Sequence, residues 1–279
     1  MIKGVILAGG SGTRLRPITK VTSKQLLPLY NKPMIYFPIQ TLLDAGVKDI
    51  LIIVSPEHAG DFINSLGSGR EFGEKVSFSY EVQDKPLGLA HGLGLARNFA
   101  KGSKCALILG DNLFIDSFKA EFENFEKSGK GVMIFAKEVK DAGRFGVIEF
   151  DENMNAISIE EKPENPKSNF AQTGLYLYDE NVFDYIDQIT PSKRGELEIT
   201  DLHTIYLEKG RLKAGIVEGG WYDTGTFESM FEATKIVREI EINNKKGFLK
   251  PFLNKSALAT GSKIFLFLLR YFSEGTSFV

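Results

Sequence analysis

The amino-acid sequence predicts a mixed α/β fold: a mostly parallel central sheet covered by helices on both faces, plus a smaller antiparallel lobe. Two patterns carry that prediction. The first half alternates near-continuous apolar runs with amphipathic ones, among them KGVILA, MIYFPIQTLLDAG, DILIIV and KCALILGDN, and strands that are apolar throughout belong to a sheet buried on both faces. After Gly129 the runs shorten to GVMIFAKEV, GVIEFD, AISIEEKP and GLYLYD, and turn residues follow two of them directly. That rhythm predicts antiparallel additions.

Taken in order, KGVILA is a strand that ends in a glycine-rich loop. The next helix has Ile35, Ile39, Leu42 and Leu43 at helical spacing and stops at Gly46. DILIIV is a strand, LGLAHGLGLARNFA reads as one helix despite its glycines, and KCALILGDN is a strand closing on polar residues. ELEITDLHTIYLEKG is a helix with Leu202, Ile205 and Tyr206 on one face and Gly210 at its end, with Glu196 in its first turn. A last long helix, TFESMFEATKIVREIEI, runs through Phe227, Phe231, Ile236 and Ile240. The late run IFLFLLRYF falls far short of the ~20 residues of a membrane span and carries Arg270, which makes it a buried or interface element. No repeat or low-complexity linker appears.

Composition narrows the partners. With 279 residues, a net charge of -2 and a pI near 6.0, the chain can bury a sizeable core but offers no broad basic face for nucleic acid. A small-molecule partner is expected. The single cysteine, Cys105, sits in the apolar run CALIL and cannot form an internal disulfide. Met1 leads into a strand pattern rather than a signal-type segment, so a cytoplasmic protein is expected.

Ligands of open α/β sheets bind at the carboxyl ends of the strands, and three such places are polar. In LAGGSGTRLRP, Gly9, Gly10 and Gly12, with Ser11 and Thr13 between and after them, let backbone N–H groups approach phosphate oxygens, and Arg14 adds a planar fork. The loop is not a dinucleotide-binding turn, since the third glycine would fall at Leu15. It is not a Walker loop either, since Gly10 rather than Lys follows Gly9. A plain strand-to-helix turn is the alternative. Asp111, ending LILGDN, can hold Mg²⁺ or merely cap a turn. Asp223 in GGWYDTGT can do the same or cap the helix that follows. His58, His91 and His203 are scattered without metal spacing, and no serine has a nucleophile-elbow context.

Read in sequence, the blocks LAGGSGTRLRP, SKQLLPLYNKPMIYFP, DILIIV, LGDN, RFGVIEFD, EEKP, TGLYLYD, RGELEITD and WYDTGT resemble those of the sugar-1-phosphate nucleotidyltransferases over roughly residues 2–240. The resemblance implies that family's Rossmann-like fold, with a nucleotide-binding part over about 1–130, a sugar-binding part over about 131–225 and a divergent segment over 241–279. It implies transfer of a nucleotidyl group to glucose 1-phosphate with Mg²⁺, dTTP being favoured over UTP. By that resemblance Arg14 grips the triphosphate, Lys24 the reacting phosphates and Lys162 the sugar phosphate, while Asp111 and Asp223 hold the metal. Gln83 and Gly88 would meet the base, and Gly146, Glu161, Thr173, Gly174, Glu196 and Trp221 the sugar. A homo-oligomer, up to a tetramer, is also implied.

The residues themselves leave one conflict. In a regular strand AISIEEKP, Glu160 and Lys162 share a face and Glu161 points to the other, whereas the family role needs Glu161 and Lys162 in one site. Phe145 stands where family members carry Tyr, so a hydroxyl contact there is lost. The segment after about 240 leaves the family's allosteric product site and part of its tetramer interface without a match. Two rival functions stand beside the transferase: a regulatory sugar-nucleotide binder without turnover, which has no need for both aspartates, and a nicotinamide-dependent oxidoreductase, which the missing glycine weakens.

Overall fold

Among the described residues, nine strands make the main sheet. The computed structural model describes residues 1–254, so the run at 264–272 and the rest of the tail beyond 254 lie outside the described residues. The strands, some in smaller ladders, are β1 Ile2–Ala8, β2 Pro28–Leu29, β3 Lys32–Pro33, β4 Asp49–Val54, β5 Ser77–Val82, β6 Lys104–Leu109, β7 Asn112–Phe114, β8 Val132–Glu138, β9 Gly146–Phe150, β10 Ala156–Glu161, β11 Phe170–Tyr178, β12 Leu212–Ile216 and β13 Trp221–Asp223. The helices are α1 Tyr36–Asp44, α2 Ala59–Leu66, α3 Leu89–Gly94, α4 Arg97–Ala100, α5 Lys119–Ser128, α6 Val182–Ile186, α7 Ile199–Glu208 and α8 Phe227–Asn254. No described helix is long and apolar enough to cross a membrane.

The main sheet runs β10-β9-β11-β6-β1-β4-β5, with β8 pairing both β11 and β12. β6, β1, β4 and β5 are parallel neighbours, and β11 joins β6 antiparallel. The predicted antiparallel additions therefore extend the parallel sheet. Both faces are buried, as the apolar runs require: Ile6, Ile50 and Ile52 face one core with α1 and α2, while Val5, Leu7 and Leu51 face the other with α3 and α7. Two predicted helices differ in detail. The run after Leu89 breaks between α3 and α4 because Leu95 and Ala96 bond back to Gly92 and Leu93, a tighter turn than α. α7 begins only at Ile199, because the preceding segment bonds elsewhere: Leu197 N donates to Leu87 O at 2.8 Å. Glu196 thus lies in a loop and not in the first helical turn.

The chain divides into two units, Met1–Thr234 and a second from Lys235 onward. All site residues discussed below belong to the first.

Candidate functional site

The parallel strand ends assemble the centre of the site. Gly110 N donates to Leu7 O at 2.9 Å, and a Cβ on Gly110 would sit 2.8 Å from that oxygen. Only glycine lets the ends of β1 and β6 approach this closely. Asp111 is thereby set beside the opening loop, where the buried Lys24 makes an ion pair from its Nζ to Asp111 Oδ2. β7 pairs antiparallel with β13 in a register that places Asp223 opposite Asn112. Thr224 fastens the junction, donating to Asp111 O from its backbone N at 3.0 Å and from Oγ1 at 2.6 Å. This small ladder brings together two aspartates that are far apart in sequence.

Their environments differ. Burial opposes the charge of Asp111, but the Lys24 ammonium and a bond from Asn112 Nδ2 to Oδ1 at 3.1 Å hold its carboxyl below the usual range. Asp223 has both burial and the Asp111 charge against it, partly offset by Lys24, Arg14 and Arg144, and its carboxyl is pushed up to about 6. A carboxylate pair in which one member resists ionising beside the other is a donor set that a divalent cation relieves. Mg²⁺ fits it, taking one or two carboxylates and completing its shell with water and phosphate oxygens. Among the described residues no group of three or more His, Cys, Asp or Glu could hold a metal, so those further ligands would have to come from solvent and substrate.

Two cavities meet at Asp111. One of about 210 Å³ is walled by Gly9, Gly10, Lys24, Gln83 and Gly88. Buried Gln83 has its Nε2 3.0 Å from His91 Nδ1, which fixes the amide. The second cavity, about 520 Å³, carries Arg14, Gly146, Glu161, Lys162, Trp221 and Asp223 on its walls, and Gly10, Asp111 and Glu196 border both. A third, of about 360 Å³, flanks the opening loop with Ser11, Arg16, Lys20 and Lys24. Gly12 and Thr13 border none of the three. Gly12 O instead accepts from Thr19 Oγ1 at 2.7 Å, so these two residues shape the loop's base.

The walls of the larger cavity depart from regular strands. β10 ends at Glu161, and Lys162 takes a left-handed φ of 44°, uncommon for a non-glycine residue. That turn lets consecutive residues face one cavity, with Lys162 Nζ 2.9 Å from Glu161 Oε1, and removes the conflict a straight strand posed. Thr200 Oγ1 donates to Glu161 Oε2 at 3.3 Å. Arg194, on the loop before α7, reaches Glu161 Oε1 at 3.5 Å and Glu196 Oε2 at 3.0 Å, and grips Glu198 with two bonds of 3.0 and 2.8 Å. Although burial works against the Glu198 charge, the Arg194 bonds hold that carboxyl below its usual range.

β11 slips register between Gln172 and Tyr176, which frees Thr173 and Gly174 from the ladder with β8. Thr173 lines the cavity, but its hydroxyl donates to Phe135 O at 2.9 Å. Gly174 N donates to Asn112 Oδ1 at 3.0 Å, and Trp221 Nε1 donates to the same oxygen at 2.6 Å. Phe145, without a hydroxyl, packs on Trp221 with ring centroids 5.1 Å apart. Asn112, Gln172 and Arg194 carry no signal of their own in the sequence, and His91 reads there only as one of three scattered histidines. Asn112 and Arg194 lie inside the blocks LGDN and RGELEITD, but which side chain of a block faces a cavity depends on the pairing of distant strands.

Comparison with known proteins identifies the family. The family model described as Nucleotidyl transferase matches residues 3–240. A glucose-1-phosphate thymidylyltransferase of Neisseria meningitidis is 49% identical over 243 residues, covering 86% of this chain and 84% of that protein. One from Mycolicibacterium smegmatis is 42% identical over 273 residues, 94% of each. A solved Bacillus anthracis chain assigned the same activity superposes with a TM-score of 0.81 at 47% identity, covering 85% of this chain and 96% of that one. A UDP-glucose pyrophosphorylase solved with UDP-glucose superposes at 0.75 and 28% identity, over 86% and 99%.

Proposed function

Because the chain belongs to the nucleotidyl transferase family, we propose that it joins dTTP and glucose 1-phosphate into dTDP-glucose and releases pyrophosphate. The observation that carries this reading is the meeting of two cavities at Asp111, which forms a carboxylate pair with Asp223 beside Lys24 and Arg14. One cavity takes the nucleotide and the other the sugar phosphate, and the reacting phosphates lie where they join.

A phosphate oxygen of glucose 1-phosphate attacks the α-phosphorus of dTTP, and the bond to the β-phosphate breaks as pyrophosphate leaves with the electron pair. The attacking oxygen is already ionised near neutral pH, so no side chain need remove a proton. The problem is repulsion between two polyanions, ~4 kcal/mol per unit-charge pair at about 4 Å in an effective dielectric of about 20. Fixed cations answer it. Arg14 and Lys24 serve the triphosphate with the backbone N–H groups of residues 9–11, and Lys162 with Arg194 serves the sugar phosphate. When bound at Asp111 and Asp223, Mg²⁺ supplies further positive charge to the phosphate oxygens. Glu161, with Glu196 and the backbone of Gly146, Thr173 and Gly174, offers partners to sugar hydroxyls, and Trp221 walls the ring.

Gln83 keeps one amide hydrogen for a pyrimidine carbonyl after serving His91, while its Oε1 accepts the ring N–H. Uracil presents the same edge, and burial of the thymine methyl adds only about 1 kcal/mol. The pyrophosphorylase likeness at 28% identity makes UTP the competing substrate. The test is pyrophosphate release with Mg²⁺ and glucose 1-phosphate, comparing dTTP, UTP, ATP, CTP and GTP. Preference for dTTP is expected, preference for UTP moves the protein to the neighbouring activity, and silence with all five in folded protein rejects glucose 1-phosphate as the substrate and leaves another sugar phosphate or a regulatory binder without turnover.

A further inference from the structure

Behind the larger cavity lies a buried polar chain to which the proposed reaction assigns no role. His203 on α7 is fully buried, and Tyr178 and Gln172 on β11 face its two ring nitrogens. Tyr178 Oη lies 2.7 Å from Nε2, and Gln172 Oε1 lies 2.8 Å from Nδ1. Burial drives the imidazole down to about 3, so it is neutral and carries one donor and one acceptor. Since Gln172 presents its carbonyl oxygen, Nδ1–H is the donor, and Nε2 accepts from the Tyr178 hydroxyl. The ring is bracketed by Tyr176 and Tyr178, with centroids 4.9 and 5.7 Å away.

The consequence falls on Gln172. With Oε1 committed to His203, its amide nitrogen turns the other way. One hydrogen reaches Tyr176 Oη at 3.3 Å, which leaves a second. Gln172 and Tyr176 both line the larger cavity. Gly146 has no side chain there, and a Cβ on it would lie 3.6 Å from Gln172 Nε2, so the nitrogen is left an open flank. A buried amide hydrogen without a partner is costly, and a sugar hydroxyl oxygen is the acceptor this cavity would receive.

We propose that Gln172 donates its second amide hydrogen to a hydroxyl oxygen of the bound sugar, and that His203 is the positioning residue that fixes the amide in that orientation. The inference rests on reading the larger cavity as the sugar site. α7 then supports the sugar wall twice, through Thr200 on Glu161 and through His203 on Gln172, three residues apart and therefore on one helical face.

Steady-state pyrophosphate release tests it, using glucose 1-phosphate and each of its monodeoxy analogues. Gln172→Met keeps the bulk and removes the amide. The expected result is a rise of about tenfold in KM for glucose 1-phosphate, the worth of one hydrogen bond, with KM for dTTP unchanged. One monodeoxy analogue, poorer than glucose 1-phosphate for the parent protein, becomes its equal for the variant. His203→Phe is expected to reproduce the sugar effect, His203→Asn, whose amide can still donate to Gln172, to restore it to within about twofold, and the Gln172→Met/His203→Phe double variant to be no worse than Gln172→Met alone. An unchanged sugar KM in Gln172→Met, with every analogue discriminated as before, overturns the contact. Equal rises in both KM values for His203→Phe, without rescue by Asn, overturn the positioning role, and if His203→Phe does not fold, the Gln172→Met comparison decides alone. A parent protein that turns over while Gln172→Met behaves like it rejects this inference only; a parent silent with every triphosphate rejects the glucose 1-phosphate reading beneath it.

Discussion

At the scale of single residues, the proposed metal pair and the opening loop make separable demands. Asp111 and Asp223 are held close enough that the charge of one raises the carboxyl of the other. An amide keeps the shape of either residue and removes the charge. Asp111→Asn and Asp223→Asn are each expected to lower kcat by at least about a hundredfold, the scale of losing one electrostatic stabiliser, with an unchanged circular dichroism spectrum. Near-parental rates in both variants would remove the metal assignment. Gly10 tests the loop differently. A Cβ there meets nothing within 4 Å, so the protein itself has no use for the missing side chain. Gly10→Ala should therefore leave the urea midpoint within the equivalent of about 0.5 kcal/mol while raising KM for dTTP severalfold. A variant that loses stability but binds dTTP as before would make Gly10 a folding residue.

Between elements, the loop after β5 and the loop before α7 are tied directly. Leu197 N donates to Leu87 O at 2.8 Å and Ala90 N to Leu197 O at 3.2 Å, so the walls of the two cavities share a clamp. Gly88 is its tightest point, with φ at 105° and a Cβ that would lie 2.4 Å from Leu197 O. Gly88→Ala is expected to cost about 2 kcal/mol or more in urea unfolding and to raise KM for both substrates together, because the clamp borders both sites. A rise for dTTP alone would mean the loops move independently. The clamp also marks where sequence reading stops. Strand ends with polar residues, such as Gly9 after β1 and Asp111 after β6, are legible because apolar runs and their punctuation are local signals. The pairing of β7 with β13, the left-handed turn at Lys162 and the break between α3 and α4 come from contacts that no local pattern encodes. For that reason Asp111 stood out while its neighbour Asn112, which joins Gly174 and Trp221 to the site, did not.

For the molecule as a whole, the sheet separates two cores of different chemistry. The fully buried residues of one are aliphatic side chains and phenylalanines, while the other buries Cys105, Tyr176, Tyr178 and Tyr206, with His203 against them, beside its aliphatic residues. Burial disfavours the charged form of each: the Cys105 thiol is pushed up to about 12, the tyrosine hydroxyls are raised, and His203 is driven down to about 3. Folding stability must then fall in acid. A histidine with pKa near 6.5 in the unfolded chain takes up a proton that the native state refuses, so its contribution is fully present above about pH 6.5 and is lost as pH falls toward 3. Between pH 6.5 and 5 the loss amounts to about 2 kcal/mol, at 1.36 kcal/mol per unit. Asp223 works the opposite way, since its raised carboxyl binds a proton more readily in the native state below about 6. The parental curve is the sum of the two, and the His203 share is isolated by comparing urea midpoints at pH 7 and pH 5 for the parent and for His203→Asn, which does not titrate. The variant is expected to lose about 2 kcal/mol less than the parent over that interval. Equal losses would mean that His203 is protonated in the native state, and the donor and acceptor roles on which the Gln172 orientation depends would have to be reassigned.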